Sequence, residues 1–271
     1  MADSERLADY ERYLRKKGYA AGTIGSYLRA ANHFLDNYAE VSENALLEYR
    51  DWLVASFRPA TADQRIRAAN CYLGYLGLDS LKLTGTHIRQ KSFRERAIDF
   101  AAYRRLLRHL RDGGHERDYH AVRMLATTGA RVSELLGMEV RHVRDGYVDV
   151  VNKARERRIH ISDVVANDAL RWAEGEGRRD GPLFLNQYGD PISQRGISHQ
   201  LKVRAAECNI DERLVYPHAF RRLFAICFLE AGGDIAFLAD LLGHASIQTT
   251  AVYLRRTRQD QHDEVNRIVC W

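Results

Sequence analysis

Apolar side chains in the first 80 residues recur at helical spacing, and that period confines this part of the chain to a bundle of short helices. Ile24, Tyr27, Leu28, Ala31, Phe34 and Leu35 fall on one face of a helix. Leu7, Tyr10 and Leu14 predict a preceding helix, capped by Ser4 and ending at Gly18. Ser42 opens a third, with Leu46, Tyr49 and Leu53 on one side. Thr61 and Gln64 have the spacing of a capping box for a fourth, running towards Leu76. Leu106, Leu107 and Leu110 resume the helical period up to Gly113, and a further helix runs from about Tyr119 to a stop at Gly129. Then the period shortens to two. Residues 146–151 and 157–161 predict a hairpin with Lys153 in its connection, and Leu183, Phe184 and Leu185 are a candidate third strand. Helices return from about Ser193. The expected fold class is mainly α with a small antiparallel β-sheet.

A break in the pattern divides the chain. Residues 84–97 are polar and carry four basic side chains against one acidic, whereas residues 1–83 balance at eleven of each. The expected organisation is a helical domain over 1–83, a basic linker over 84–97 and a second domain over 98–271. The linker reads either as a solvated tether or as a strap along a polyanion. The net charge of +5 permits an anionic partner without requiring one.

Composition excludes several classes. The longest run without Asp, Glu, Lys or Arg spans 14 residues, 241–254, and a membrane helix needs about 20 mostly apolar ones. The N-terminus lacks the basic-then-apolar layout of a signal peptide. The four cysteines, Cys71, Cys208, Cys227 and Cys270, form no CxxC pair, so neither a zinc site nor a disulfide framework is supported. A cytoplasmic protein with reduced thiols is expected.

Four segments carry chemistry. Thr128-Gly-Ala-Arg131-Val-Ser-Glu134-Leu places an arginine in the turn between a helix that ends at Gly129 and a short helix. Asn152-Lys153-Ala-Arg-Glu is a hairpin tip, and Lys153 is one of six lysines against 35 arginines. Pro217-His218-Ala-Phe-Arg221 puts His218 and Arg221 on one helix face. Leu242-Gly-His244 precedes Tyr253 by nine residues from the histidine. Taken singly, each is an ordinary surface or core feature.

In this order and at these spacings the four segments resemble the tyrosine recombinase family, phage integrase and Xer-like. The resemblance spans about 98–254, and residues 1–83 are similar, with a weaker signature, to that family's core-binding domain. It implies an N-terminal helical core-binding domain and an α+β catalytic domain that clamp duplex DNA. It also implies attack of a tyrosine on a phosphodiester to give a 3′-phosphotyrosyl bond and a free 5′-hydroxyl, without metal, ATP or other cofactor. The catalytic set implied is Arg131, Lys153, His218, Arg221, His244 and Tyr253. Two guanidinium forks and His244 would hold the phosphate, His218 would take the tyrosine proton and Lys153 would protonate the leaving oxygen. Glu134 is expected to orient these groups. Lys91, Arg94, Arg96 and Arg222 are candidate DNA contacts. The hairpin tip departs from the family's usual Gly-Lys-Gly-Asn-Lys and is one residue shorter. Phe220 replaces the commoner Leu, and Arg222 a common His.

Helical signals starting almost at residue 4 suggest no additional arm-binding domain. The apolar end of the tail, Val265, Ile268, Val269, Cys270 and Trp271, docks either on its own domain or on a neighbouring protomer. The family-like expectation is a monomer in solution and a homotetramer on two DNA sites, with tail exchange. Competing readings are a type IB-like topoisomerase or resolvase, and a DNA-binding regulator derived from an integrase.

Overall fold

The computed structural model describes residues 2–86, 98–152, 155–244, 246–254, 266 and 269. The chain divides into two compact units, Met1–Gln90 and Lys91–Trp271. Lys91, Arg94, Arg96, Lys153 and, apart from Asn266 and Val269, the tail after Leu254 lie outside the described residues.

The first unit holds helices α1 (Ala2–Lys16), α2 (Ala21–Asn37), α3 (Glu43–Ser56) and α4 (Pro59–Tyr75). Helix α2 buries two sides. Ile24 and Ala31 pack with Tyr10, Leu14 and Tyr72, whereas Phe34 packs with Leu46, Tyr49, Leu53 and Ile66. Ser42 caps α3 as its sequence predicts, accepting from the Ala45 amide at 3.2 Å. Two other caps differ from expectation. Helix α1 begins at Ala2, so Ser4 lies inside it. Helix α4 begins at Pro59, ahead of the Thr61–Gln64 pair, because proline's fixed φ suits the first helical turn and its missing N–H costs nothing there. The end of the unit is pinned where Asn70 pairs with both backbone groups of Leu83, each at 2.8 Å.

The second unit is built around α6 (Glu116–Thr128), whose Val122, Met124 and Leu125 are fully buried. It packs against α11 (Pro217–Glu230), which contributes Ala219, Phe220 and Leu223. Around this pair lie α5 (Phe100–Asp112), α7 (Val132–Leu136), α8 (Val140–Asp145), α9 (Asp163–Gly175) and α10 (Gln194–Glu207). Strands β1 (Tyr147–Asn152) and β2 (Arg155–His160) pair antiparallel, with Val148 opposite Ile159 and Val150 opposite Arg157. Helices α12 (Ile235–Leu242) and α13 (Ile247–Ala251) and a tight turn over Val252–Leu254 follow.

The third strand does not form among the described residues. Leu183 and Phe184 are fully buried, but the segment makes only single bridges, Glu139 to Pro182 and Leu185 to Pro191. Pro182 precedes the segment and Pro191 stands opposite Leu185, and neither has the N–H that a longer ladder would need. Asn186 then turns the chain, its side-chain oxygen accepting from the amides of Tyr188 and Asp190 at 2.8 and 3.1 Å.

No helix among the described residues is long and apolar enough to cross a membrane.

Candidate active site

Helix α6 stops at Gly129, which takes a left-handed conformation with φ of 63°. The position also lacks room for a side chain, since a Cβ there would meet Phe224 Cδ1 at 2.5 Å and Leu242 Cδ2 at 2.9 Å. The chain then passes through buried Ala130 and reaches Arg131, whose extended backbone caps α7. The Glu134 carboxylate accepts from the Arg131 amide at 2.7 Å and from its guanidinium at 2.8 Å. Glu134 thus fixes both the backbone and the fork of Arg131. It is itself 8% exposed.

Arg221 lies one helical turn into α11 and is 3% exposed. Its guanidinium donates to the carbonyls of Gly129 and Leu242, tying the end of α6 to the end of α12. Its Nη2 lies 3.4 Å from His244 Nε2. His244 follows the left-handed Gly243, with φ of 61°, and its Nδ1 pairs with the hydroxyl of fully buried Thr250 at 2.8 Å. That bond turns Nε2 towards Arg221. The ring of Tyr253 lies almost parallel to the His244 ring, with centroids 6.3 Å apart, and packs on the small cluster of Ala225, Leu238 and Leu242.

Burial and cationic neighbours set the protonation states. Burial, then Arg131 and Arg157, brings Arg221 down to about 10, so it stays charged at neutral pH. Burial, then Arg221, Arg222 and Arg131, lowers His218. Burial followed by Arg221, Arg131 and Arg157 lowers His244 to about 4. Both imidazoles are therefore neutral at pH 7. Burial raises Tyr253 despite the charges of Arg221, Arg222 and Arg131, so its hydroxyl needs a base. Burial alone would raise Glu134, but the Arg131 amide and the charges of Arg157 and Arg131 hold it below the ordinary range.

The structure therefore brings Arg131, Glu134, His218, Arg221, His244 and Tyr253 into one cationic neighbourhood. Arg222 donates to the Tyr216 hydroxyl at 2.7 Å, and its charge acts on His218 and Tyr253. Among the described residues no group of three or more His, Cys, Asp or Glu side chains is placed to hold a metal ion.

Sequence reasoning missed Arg157. Its side chain is 8% exposed and pairs with Glu134 at 2.6 Å and the Leu241 carbonyl at 2.5 Å. The signal was available. Arg157 alternates along β2 with buried Ile159, and buried Ile161 follows at the strand's end, so the arginine occupies the apolar face of the hairpin.

A helical scaffold that gathers guanidinium and imidazole groups around a half-buried tyrosine defines a class of sites suited to holding a phosphate group. The chain belongs to the phage integrase family, whose model matches residues 96–260, well over half of its length. It is 35% identical over 162 residues to the tyrosine recombinase XerD of Halalkalibacterium halodurans, covering 56% of this chain and 54% of that protein. It is 35% identical over 150 residues to the tyrosine recombinase XerC of Escherichia coli O157:H7, covering 51% and 48%. The chain thus spans about half the length of these curated relatives. Its fold is shared with the Tn1549 transposon integrase in complex with transposon right end DNA, at a TM-score of 0.75 and 16% identity over 97% of this chain and 99% of that one. It is also shared with a lambda integrase dimer bound to a core site, at 0.74 and 15% over 93% and 95%.

Proposed function

We propose that the protein is a site-specific DNA recombinase that cuts and rejoins strands through a 3′-phosphotyrosyl intermediate. The observation that carries this reading is Tyr253 set almost parallel to the His244 ring, whose Nε2 lies 3.4 Å from Arg221 Nη2. In the proposed reaction the Tyr253 hydroxyl attacks phosphorus while its proton passes to His218, which is neutral at pH 7. The P–O5′ bond breaks, and the 5′-oxygen takes a proton from Lys153. Arg131, Arg221 and His244 donate to the non-bridging oxygens, where negative charge concentrates. A second strand's 5′-hydroxyl reverses the step, so the bond energy is kept and no ATP is spent.

Cations supplied by the protein perform the charge stabilisation that a metal supplies in other nucleases. Lys91, Arg94, Arg96 and Arg222 are the proposed contacts to backbone phosphates of double-stranded DNA, with residues 1–83 as a core-binding domain and 98–271 as the catalytic one. The protein is read as cytoplasmic, monomeric in solution and tetrameric on two DNA sites, with exchange of C-terminal tails.

The test mixes the protein in EDTA with nicked duplexes tiled across its genomic neighbourhood. A denaturant-resistant DNA adduct is expected, mapping by mass spectrometry to Tyr253 and absent in Tyr253→Phe. An adduct on another tyrosine, or a strict Mg²⁺ requirement, would overturn the mechanism. Tight binding to one duplex without an adduct would favour a binding-only regulator.

A further inference from the structure

We propose that Arg157 is a positioning residue that joins Arg131 and His244 into a single phosphate-binding frame, an inference that rests on the strand-exchange reading above. Arg157 sits opposite Val150 in the hairpin and points to the buried side of the strand with Ile159. From there its guanidinium reaches two other elements. Nη2 donates to Glu134 Oε2 at 2.6 Å, and Nη1 donates to the Leu241 carbonyl at 2.5 Å.

The first bond completes a chain of charges. Glu134 Oε2 also accepts the Arg131 amide, and its other oxygen accepts the Arg131 guanidinium. Arg157 and Arg131 therefore hold the carboxylate between them, and the direction of the Arg131 fork depends on both. The second bond acts on the other half of the site. The last carbonyls of α12 are held by arginines from different elements, Leu241 by Arg157 and Leu242 by Arg221. The next residues are Gly243 and His244. A Cβ on Gly243 would collide with Cδ and Nε of Arg157, so the turn that delivers His244 lies directly on the Arg157 stem.

A purely stabilising role is a poor account of this arrangement. Arg157 Nε is buried without a hydrogen-bond partner among the described residues. Burial also acts against its charge. Well-packed apolar side chains commonly stabilise an interior at least as well as a buried ion pair. What the guanidinium supplies is a fork wide enough to hold two acceptors on different elements, which a lysine ammonium does not offer with the same planar geometry.

The test compares the full-length wild type with Arg157→Met and Arg157→Lys on the nicked duplex that yields the Tyr253 adduct, with binding and single-turnover cleavage measured separately. DNA affinity is expected to stay within about twofold. Cleavage should fall on the order of 100-fold in Arg157→Met and on the order of 10-fold in Arg157→Lys, the scale of loss when a reacting group is misplaced by about an ångström. The double variant Arg157→Met/Glu134→Gln should be no slower than the worse single variant, because residues acting as one unit are non-additive. Unchanged cleavage in folded Arg157→Met, equal losses of affinity and rate, or additive effects would overturn the proposal. A DNA-free readout separates it from the function assigned above. In Arg157→Lys the His244 ring resonances should move while those of His120, stacked on Trp172 elsewhere in the unit, should not. Unmoved His244 resonances would refute the frame whether or not the protein cleaves DNA, and a wild type without an adduct would refute the strand-exchange reading alone.

Discussion

At the residue scale, single buried polar groups decide more than their number suggests. His120 is 2% exposed, stacks on Trp172 at 4.6 Å, and has no partner for Nδ1 among the described residues. Burial is the main cause that lowers it from 6.5 to about 4, with Arg123, Arg111 and Arg178 adding to the effect against Asp168. Between those two values the unfolded chain holds a proton that the folded chain does not. Stability therefore falls as pH drops from about 6.5 towards 4. Urea midpoints across that range should show the decline, and His120→Phe, which keeps the stack, should flatten it. An identical slope in the variant would refute the assignment. Arg131, His218, Arg221, His244 and Tyr253 were legible in the sequence because each sits in a motif with a spacing. Arg157 sits in no such motif. Its meaning comes from strand alternation combined with partners 23 and 84 positions away in sequence.

At the scale of elements, the turns do the positioning. Gly129 needs both a left-handed backbone and empty space, so Gly129→Ala meets two costs. The left-handed conformation alone costs an L-residue about 1–2 kcal/mol, and overpacking adds about 1–3 kcal/mol. Gly232→Ala is the control, since its φ is 87° but nothing lies within 4 Å of the added Cβ. Chemical denaturation should show a loss clearly larger at Gly129 than at Gly232, and equal losses would show that the packing argument is wrong. The helix stops at Gly113 and Gly129, the Ser42 cap and the hairpin could all be read from local signals. Helix α9 was missed although its buried face, Val165, Ala166, Ala169 and Ala173, keeps helical spacing, because three of the four are alanines rather than the leucines and aromatics that mark the other helices. The Leu183–Leu185 segment misled for the opposite reason. Its apolar run is real and buried, but with Pro182 before it and Pro191 opposite Leu185 its pairing stops at single bridges.

At the scale of the whole molecule, each unit carries its own core, and the candidate nucleophile belongs to the second. In the proposed reaction one tyrosine per chain would sever one strand, so exchange between two duplexes would need four cuts and four chains. Light scattering should give about one 31.1 kDa protomer for the free protein and four on paired sites. Four protomers without DNA would contradict the first expectation. Arg221 has one more consequence, for descent. Because it staples the ends of α6 and α12, a lineage that abandoned catalysis would still be selected to keep it for the sake of folding. Tyr253 differs, since phenylalanine would preserve its packing on Leu238 and Leu242 while discarding the hydroxyl. Among descendants of such a chain, the tyrosine and not the buried arginine would be the record of a working enzyme.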